Sequence, residues 1–194
     1  MSDELAYIGL GSNFPDKERR IEAAIDEIGR LPGIEFVAGS SLYLTEPQDY
    51  RNQPWFANAV VAVRPADSWT PESLLDALLE IEKRGGRTRE NVPRGGPRAI
   101  DVDLLVFGEI ETARRECLVP HPRALTRAFV LVPLLELNPG LKIGGRSPLD
   151  ALFALVWRRE GNRLYQDGVR YKICPRGAGR LPTGTGAPGR DQTR

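Results

Sequence analysis

The chain has 194 residues, 41% hydrophobic and 27% charged, with a formal net charge of +1. That is enough apolar material for one domain with a packed core, and the near-neutral balance gives no global attraction to nucleic acid or an anionic membrane. No apolar run is long enough to span a bilayer, and two cysteines with one histidine fall short of a structural zinc set.

Ala6 to Leu10 reads as a first strand running into Gly11-Ser12-Asn13. A helix opens after Pro15-Asp16, carries Ile21, Ala24, Ile25 and Ile28 at helical spacing, and stops at Leu31-Pro32-Gly33. Ile34 to Leu44 reads as a second strand, Thr45 to Pro54 as a loop, and Phe56 to Val63 as a third strand. Thr70 is placed to cap a second helix with Pro71 at its first position, and Leu74, Leu75, Leu78 and Ile81 form the apolar stripe. Four glycines and two prolines keep Arg84 to Arg98 out of any helix. The stretch RAIDVDLLVFG, Arg98 to Gly108, reads as a fourth strand. Further helical stretches are expected over about Pro122 to Leu137 and Pro148 to Arg158.

This order predicts an α+β fold of the ferredoxin-like βαββαβ type, with an antiparallel-rich sheet, helices on one face and additional C-terminal helices. One domain is expected over residues 1–158. The extension 159–194 is rich in glycine, proline and arginine, and from about residue 175 it is expected to be disordered. A solvated tail is the plain reading and contact with nucleic acid the alternative. The opening MSDELAYIGLGSN lacks the basic-then-apolar pattern of a signal peptide, and Cys117 and Cys174 form no CxxC, so a reduced, cytoplasmic protein is expected.

Asp101 and Asp103 lie at i, i+2 on the fourth strand, so both carboxylates share a face while Ile100, Val102 and Leu104 share the other. Two adjacent acids suit a hard cation such as Mg²⁺, which takes one or two carboxylates and completes its shell with substrate phosphates. A half-exposed strand explains a lone pair of this kind equally well. The preceding segment changes the balance. Arg84, Arg87, Arg89, Arg94 and Arg98 place five guanidinium groups within fifteen residues, four of them glycine. Arginine grips phosphate oxygens with paired hydrogen bonds, so a basic loop beside an acid pair fits a metal–polyphosphate substrate. There is no Walker A loop and no protein-kinase signature, and GLGSN lacks the third glycine of a dinucleotide fingerprint. His121, the single histidine, follows the acidic strand by a hairpin-sized segment that can return it to the same site. Glu82 extends the buried stripe of the second helix, where a carboxylate needs a partner.

With these residues in view, the sequence resembles the 6-hydroxymethyl-7,8-dihydropterin pyrophosphokinase family over about residues 5 to 157. The resemblance rests on Gly11-Ser12-Asn13, on Thr45 to Asn58 with Gln53-Pro-Trp-Phe-Ala-Asn58, and on Glu82 with the arginine loop. It continues through Gly96 to Gly108, which matches the signature GPRxxDxDxxxxG, then Val119-Pro-His121, Arg127-Ala-Phe129 and Pro133-Leu-Leu-Glu136. It implies transfer of pyrophosphate from ATP to the dihydropterin hydroxymethyl group, with AMP released, and two Mg²⁺ ions between the paired aspartates and the triphosphate. Asp101 and Asp103 match the metal ligands; Arg98, His121 and Arg127 match nucleotide-phosphate contacts. Arg87, Arg89 and Arg94 fall at the mobile catalytic-loop arginines. Phe56 and Phe129 match the aromatic pair around the pterin, Asn58 the amide on its polar edge, and Thr45 the loop beside that edge. Asn13 and Glu82 match supporting positions. ATP and the dihydropterin are the expected partners, with no membrane or nucleic acid, and the chain is expected to be a monomer. The chain departs from the family pattern at Gly95, where an aromatic is common, at Pro122, where a tyrosine is frequent, in Thr45-Glu-Pro-Gln, and in an arginine loop one residue longer. Two other readings stay open on the residues alone: an ordinary phosphokinase releasing ADP on the same fold, and a non-catalytic RNA-binding module.

Overall fold

A computed structural model of the chain describes residues 4–47, 52–87, 96–114, 116–155, 157–160, 163–166 and 172–173. Strand β1 (Ala6–Ser12) is buried between two neighbours, antiparallel to β4 (Phe56–Pro65) on one side and to β5 (Asp101–Phe107) on the other. Strands β2 (Ile34–Gly39) and β3 (Tyr43–Thr45) both lie along the far edge of β4. The expected single strand over 34–44 is therefore two. Its pairing slips by one residue between Phe36 and Ala38, and Ser40 then leaves the ladder to exchange hydrogen bonds with Val60 through its own N–H and hydroxyl.

Helix α1 (Lys17–Gly29) buries Ile21, Ala24 and Ile28, and α2 (Pro71–Arg84) buries Leu74, Leu78 and Ile81. Both pack on one face of the sheet, against Ile8, Leu10, Ala59, Val61, Val63, Val102 and Leu104. Thr70 caps α2 as expected, accepting the Ser73 N–H while the Ser73 hydroxyl accepts the Thr70 N–H.

The opposite face is covered too, which corrects the expectation of helices on one face only. Helix α3 (Ala128–Leu137) packs Val130 and Leu134 on Tyr7, Val60, Ala62 and Leu105. The sheet requires this cover, because Tyr7, Val60, Ala62 and Leu105 make part of its second face apolar and would otherwise lie in water. The helix expected over Pro122 to Leu137 starts late. A 3-10 turn at Ala124–Thr126 comes first, Arg127 is extended at φ −126°, ψ 114°, and only then does α3 begin. The extended backbone at Arg127 separates the two, with the Ala128 N–H and the Thr126 carbonyl bonded to the Gln166 side chain instead of continuing one helix.

Helix α4 (Pro148–Ala154) ends short of the expected Arg158. Trp157 instead begins β8 (Trp157–Glu160), which forms a hairpin with β9 (Arg163–Gln166). Strand β9 runs parallel to β3, and β10 (Lys172–Ile173) is antiparallel to it, so the sheet continues past the expected boundary at 158. A separate two-stranded ribbon, β6 (Thr112–Arg114) and β7 (Cys117–Val119), joins β5 to His121. The tail expected to be disordered falls outside the described residues. Among the described residues no helix is long and apolar enough to cross a membrane.

Candidate active site

The second face of the sheet is not filled everywhere. Cross-strand pairing sets Asp101 beside Gly11, Gly11 beside Asn58, and Asn58 beside Tyr43 in one row. One row along, Asp103 lies beside Gly9 and Gly9 beside Val60. Directly paired residues project to the same face, so the two glycines leave a floor between the acid pair and the Asn58 amide. A methyl group on Gly11 would meet the Asn58 Oδ1 at 3.0 Å, and one on Gly9 would meet the Leu105 side chain at 3.3 Å.

Over this floor lies a pocket. Thr45, Phe56 and Asn58 line one side, Arg98, Asp101 and Asp103 the other, and Arg127 and Phe129 from the start of α3 stand over it. Asn58 is buried and donates from Nδ2 to the Thr45 hydroxyl at 2.7 Å, which fixes the amide and leaves its Oδ1 toward Gly11. The Arg127 guanidinium lies 5.4 Å from the centre of the Phe129 ring.

The acid pair is unequal. Asp101 is gripped by Arg98 and by Arg87, the latter at 2.6 Å. Burial, and then the charge of Asp101, push the Asp103 carboxyl up to about 6, against the pull of Arg127, Arg87 and Arg98. Behind the acids lies Glu82, 2% exposed at the end of α2. It accepts the Val102 N–H at 2.7 Å and pairs with Arg87. Burial pushes its carboxyl up to about 7, although Val102 and Arg87 act in the other direction. Glu82 is thus the expected partnered acid: it reaches the site through Arg87 and through the backbone between the two aspartates.

Asn13 holds the Arg98 segment. Its N–H donates to the Arg98 carbonyl, its Oδ1 accepts the Arg98 N–H at 2.7 Å, and its Nδ2 donates to Gln53 and Pro54. The loop before β4 and the segment before β5 are therefore joined at one residue. His121 donates its N–H to the Leu105 carbonyl, and its Nδ1 accepts the Arg123 N–H. It is not among the residues lining the pocket. Burial and the charges of Arg127 and Arg123 push its imidazole down to about 4, so the ring is neutral near pH 7. Arg89 and Arg94 lie outside the described residues. The sequence reading missed Gly9 and Gly11 as the pocket floor, and Glu46 and Gln53 in its wall. The usable signal was two glycines at i, i+2 in a strand, where they otherwise only weaken it.

The family model for 7,8-dihydro-6-hydroxymethylpterin-pyrophosphokinase (HPPK) matches residues 7–139. The chain belongs to the HPPK family. A 2-amino-4-hydroxy-6-hydroxymethyldihydropteridine pyrophosphokinase of Methylorubrum extorquens is 43% identical over 150 residues, covering 77% of this chain and 92% of the relative. A protein of the same name from Pseudomonas aeruginosa is 41% identical over 148 residues, covering 76% of this chain and 89% of the relative. A solved HPPK-DHPS structure in complex with substrates superposes at a TM-score of 0.56 with 13% identity. That match covers 78% of this chain and 43% of the other, so it shows the fold of the HPPK portion alone. Every residue of the pocket lies within the HPPK match.

Proposed function

We propose that this chain transfers the pyrophosphoryl group of ATP to 6-hydroxymethyl-7,8-dihydropterin, giving the pterin diphosphate and AMP, as a step of folate biosynthesis. The observation that carries this reading is one pocket with two chemically distinct ends. One end holds the acid pair and arginines, which suit a metal-bound polyphosphate. The other holds a fixed carboxamide with Phe56 and Phe129 lining the same pocket, which suits a flat heterocycle with a hydrogen-bonding edge. An ordinary phosphokinase or an RNA-binding sheet requires no such pairing of ends. The strand order β5-β1-β4 with β2 outermost supports a ferredoxin-like core.

In this reading Asn58, held by Thr45, orients the pterin edge, and Phe56 and Phe129 hold its faces. Arg98 and Arg127 bind ATP phosphates, with His121 as a neutral nucleotide-side donor. Arg87, Arg89 and Arg94 balance charge as the β-phosphorus passes to the hydroxymethyl oxygen. The bond to the α-phosphate oxygen breaks and AMP carries that oxygen away. Among the described residues no cluster of three or more His, Cys, Asp or Glu could hold a metal. The donor set nonetheless fits Mg²⁺: two oxygen ligands share a face, and Asp103 is an acid whose charge burial disfavours and a cation would relieve. Asp101 and Asp103 would hold it; bound there, Mg²⁺ supplies charge neutralisation on the triphosphate and lowers the pKa of a coordinated hydroxyl. The enzyme is read as a cytoplasmic monomer.

The test is a product assay with ATP, Mg²⁺ and 6-hydroxymethyl-7,8-dihydropterin, followed by separation of the nucleotides. AMP formed in step with pterin diphosphate is expected. ADP as the product, or no turnover by folded protein, refutes the proposal.

A further inference from the structure

Helix α3 has an unusual start. Its N-cap residue is Arg127, whose side chain makes no capping hydrogen bond. Helices ordinarily place Ser, Thr, Asp or Asn there, because a short side-chain oxygen satisfies a first-turn amide. Here the position is taken by an arginine that lines the pocket. The missing acceptor comes from elsewhere. Gln166 of β9 is 4% exposed, and its Oε1 accepts the Ala128 N–H at 2.8 Å. Its Nε2 donates to the Thr126 carbonyl at 2.9 Å. The two bonds bracket Arg127, whose backbone is extended between the 3-10 turn and α3. A neighbouring strand would offer an extended residue the same donor–acceptor pair. The Gln166 carboxamide stands in for both that strand and the cap.

We propose that Gln166 is a positioning residue for the nucleotide and pterin contacts, acting through the backbone on either side of Arg127. It fixes where Arg127 leaves the chain and, one residue beyond Ala128, where Phe129 does. Trp157, paired with Gln166 across the hairpin, packs against the buried cluster that includes Ala128, Leu131 and Leu135 of α3. Gln166 lies beyond the HPPK match, which ends at residue 139, so it would act on the pocket from outside the matched region. The proposal rests on the functional reading above for what Arg127 and Phe129 contact.

The test compares Gln166→Ala and Gln166→Glu with Trp157→Phe in the full chain. Trp157→Phe loosens the same hairpin while leaving both bracket bonds available, so it reports a merely structural role. Three quantities are read: amide exchange at Ala128, affinity for a non-hydrolysable ATP analogue and for the dihydropterin, and kcat with both KM values. Gln166→Ala is expected to speed Ala128 exchange and to weaken both ligands by about tenfold or more, as small misplacements of binding groups do. Gln166→Glu keeps the acceptor and loses the donor, so it is expected to protect the Ala128 amide and show an intermediate loss of binding. It also carries the test if Gln166→Ala does not fold. Unchanged Ala128 exchange in Gln166→Ala, or unchanged binding despite faster exchange, overturns the proposal. Equal losses in Gln166→Ala and Trp157→Phe overturn it as well. Absence of AMP from the wild-type protein refutes the functional reading instead, and the exchange and binding measurements then decide the positioning role by themselves.

Discussion

Glu136, near the end of α3, ties that helix to the strand carrying Thr45. Its carboxylate accepts the Ser41 N–H at 3.0 and 3.1 Å, the Ser41 hydroxyl at 2.7 Å, and the Tyr43 hydroxyl. Hydrogen bonds to a charged group each contribute about 1.5–3 kcal/mol, and less where water can replace the partner. Glu136 is only half-buried whereas Tyr43 is buried, so Glu136→Ala is expected to cost about 2–4 kcal/mol in total. For a domain of this size that lowers the unfolding midpoint by about 6–12 °C. Glu136→Gln keeps one oxygen for Ser41 and turns an N–H toward the Tyr43 hydroxyl, which can accept it, so it is expected to cost only about 1 kcal/mol. Urea unfolding of Glu136→Ala, Tyr43→Phe and the double variant measures the coupling directly. Tyr43→Phe is expected to destabilise the wild type and to cost nothing further in Glu136→Ala. A Glu136→Ala protein within about 0.5 kcal/mol of wild type, or a Tyr43→Phe effect equal in both backgrounds, refutes this account.

Asp103→Asn is expected to abolish AMP formation yet raise the unfolding midpoint, because it removes a half-buried charge that desolvation and Asp101 disfavour; an active or a destabilised variant contradicts the assignment. Asp101→Ala is likewise expected to lose transfer while far-UV circular dichroism stays unchanged. Gly11→Ala drives a methyl group against the Asn58 Oδ1, so dihydropterin affinity is expected to fall about tenfold with nucleotide affinity kept, by titration calorimetry. The His121 imidazole titrates near 4 in the folded protein against 6.5 when unfolded, so the unfolded state takes up more protons between these values. Stability from this group is fully present above pH 6.5 and is lost as pH falls toward 4, by about 1–2 kcal/mol after discounting for solvent screening. Because the chain has one histidine, its ring proton resonance reports the titration without ambiguity, and a shift with a midpoint near 6.5 in the folded protein contradicts it.

Periodicity and capping chemistry were enough to place β1, α1, β4 and α2 in the sequence. Ile21, Ala24 and Ile28 face one way because a helix turns once in 3.6 residues, and Thr70-Pro71 before an apolar stripe supplies a capping oxygen and a preset φ for a helix start. The acid pair was equally legible, since alternation alone puts Asp101 and Asp103 on one face. Glu82 was legible as an acid in need of a partner, because its place in an apolar stripe is a local fact. Phe56, Asn58 and Phe129 were not legible from pattern, because an aromatic or amide on a strand or helix is ordinary core until its neighbours are known. They entered through family resemblance, and their gathering around one pocket is a tertiary fact.

Three features only the folded chain could decide. The break between β2 and β3 comes from Ser40 bonding to Val60, twenty residues away. The cover of the second sheet face depends on where α3 lands, which no local periodicity encodes. The cap of α3 comes from Gln166, thirty-eight residues after the amide it holds, so residue 127 is free to be an arginine. Local sequence determines what each segment can form, because helix and strand patterns are set by neighbours a few residues apart. Which side chains meet across a sheet, and which distant group satisfies a buried amide, is settled when burial brings the segments together and every polar group left inside must find a partner.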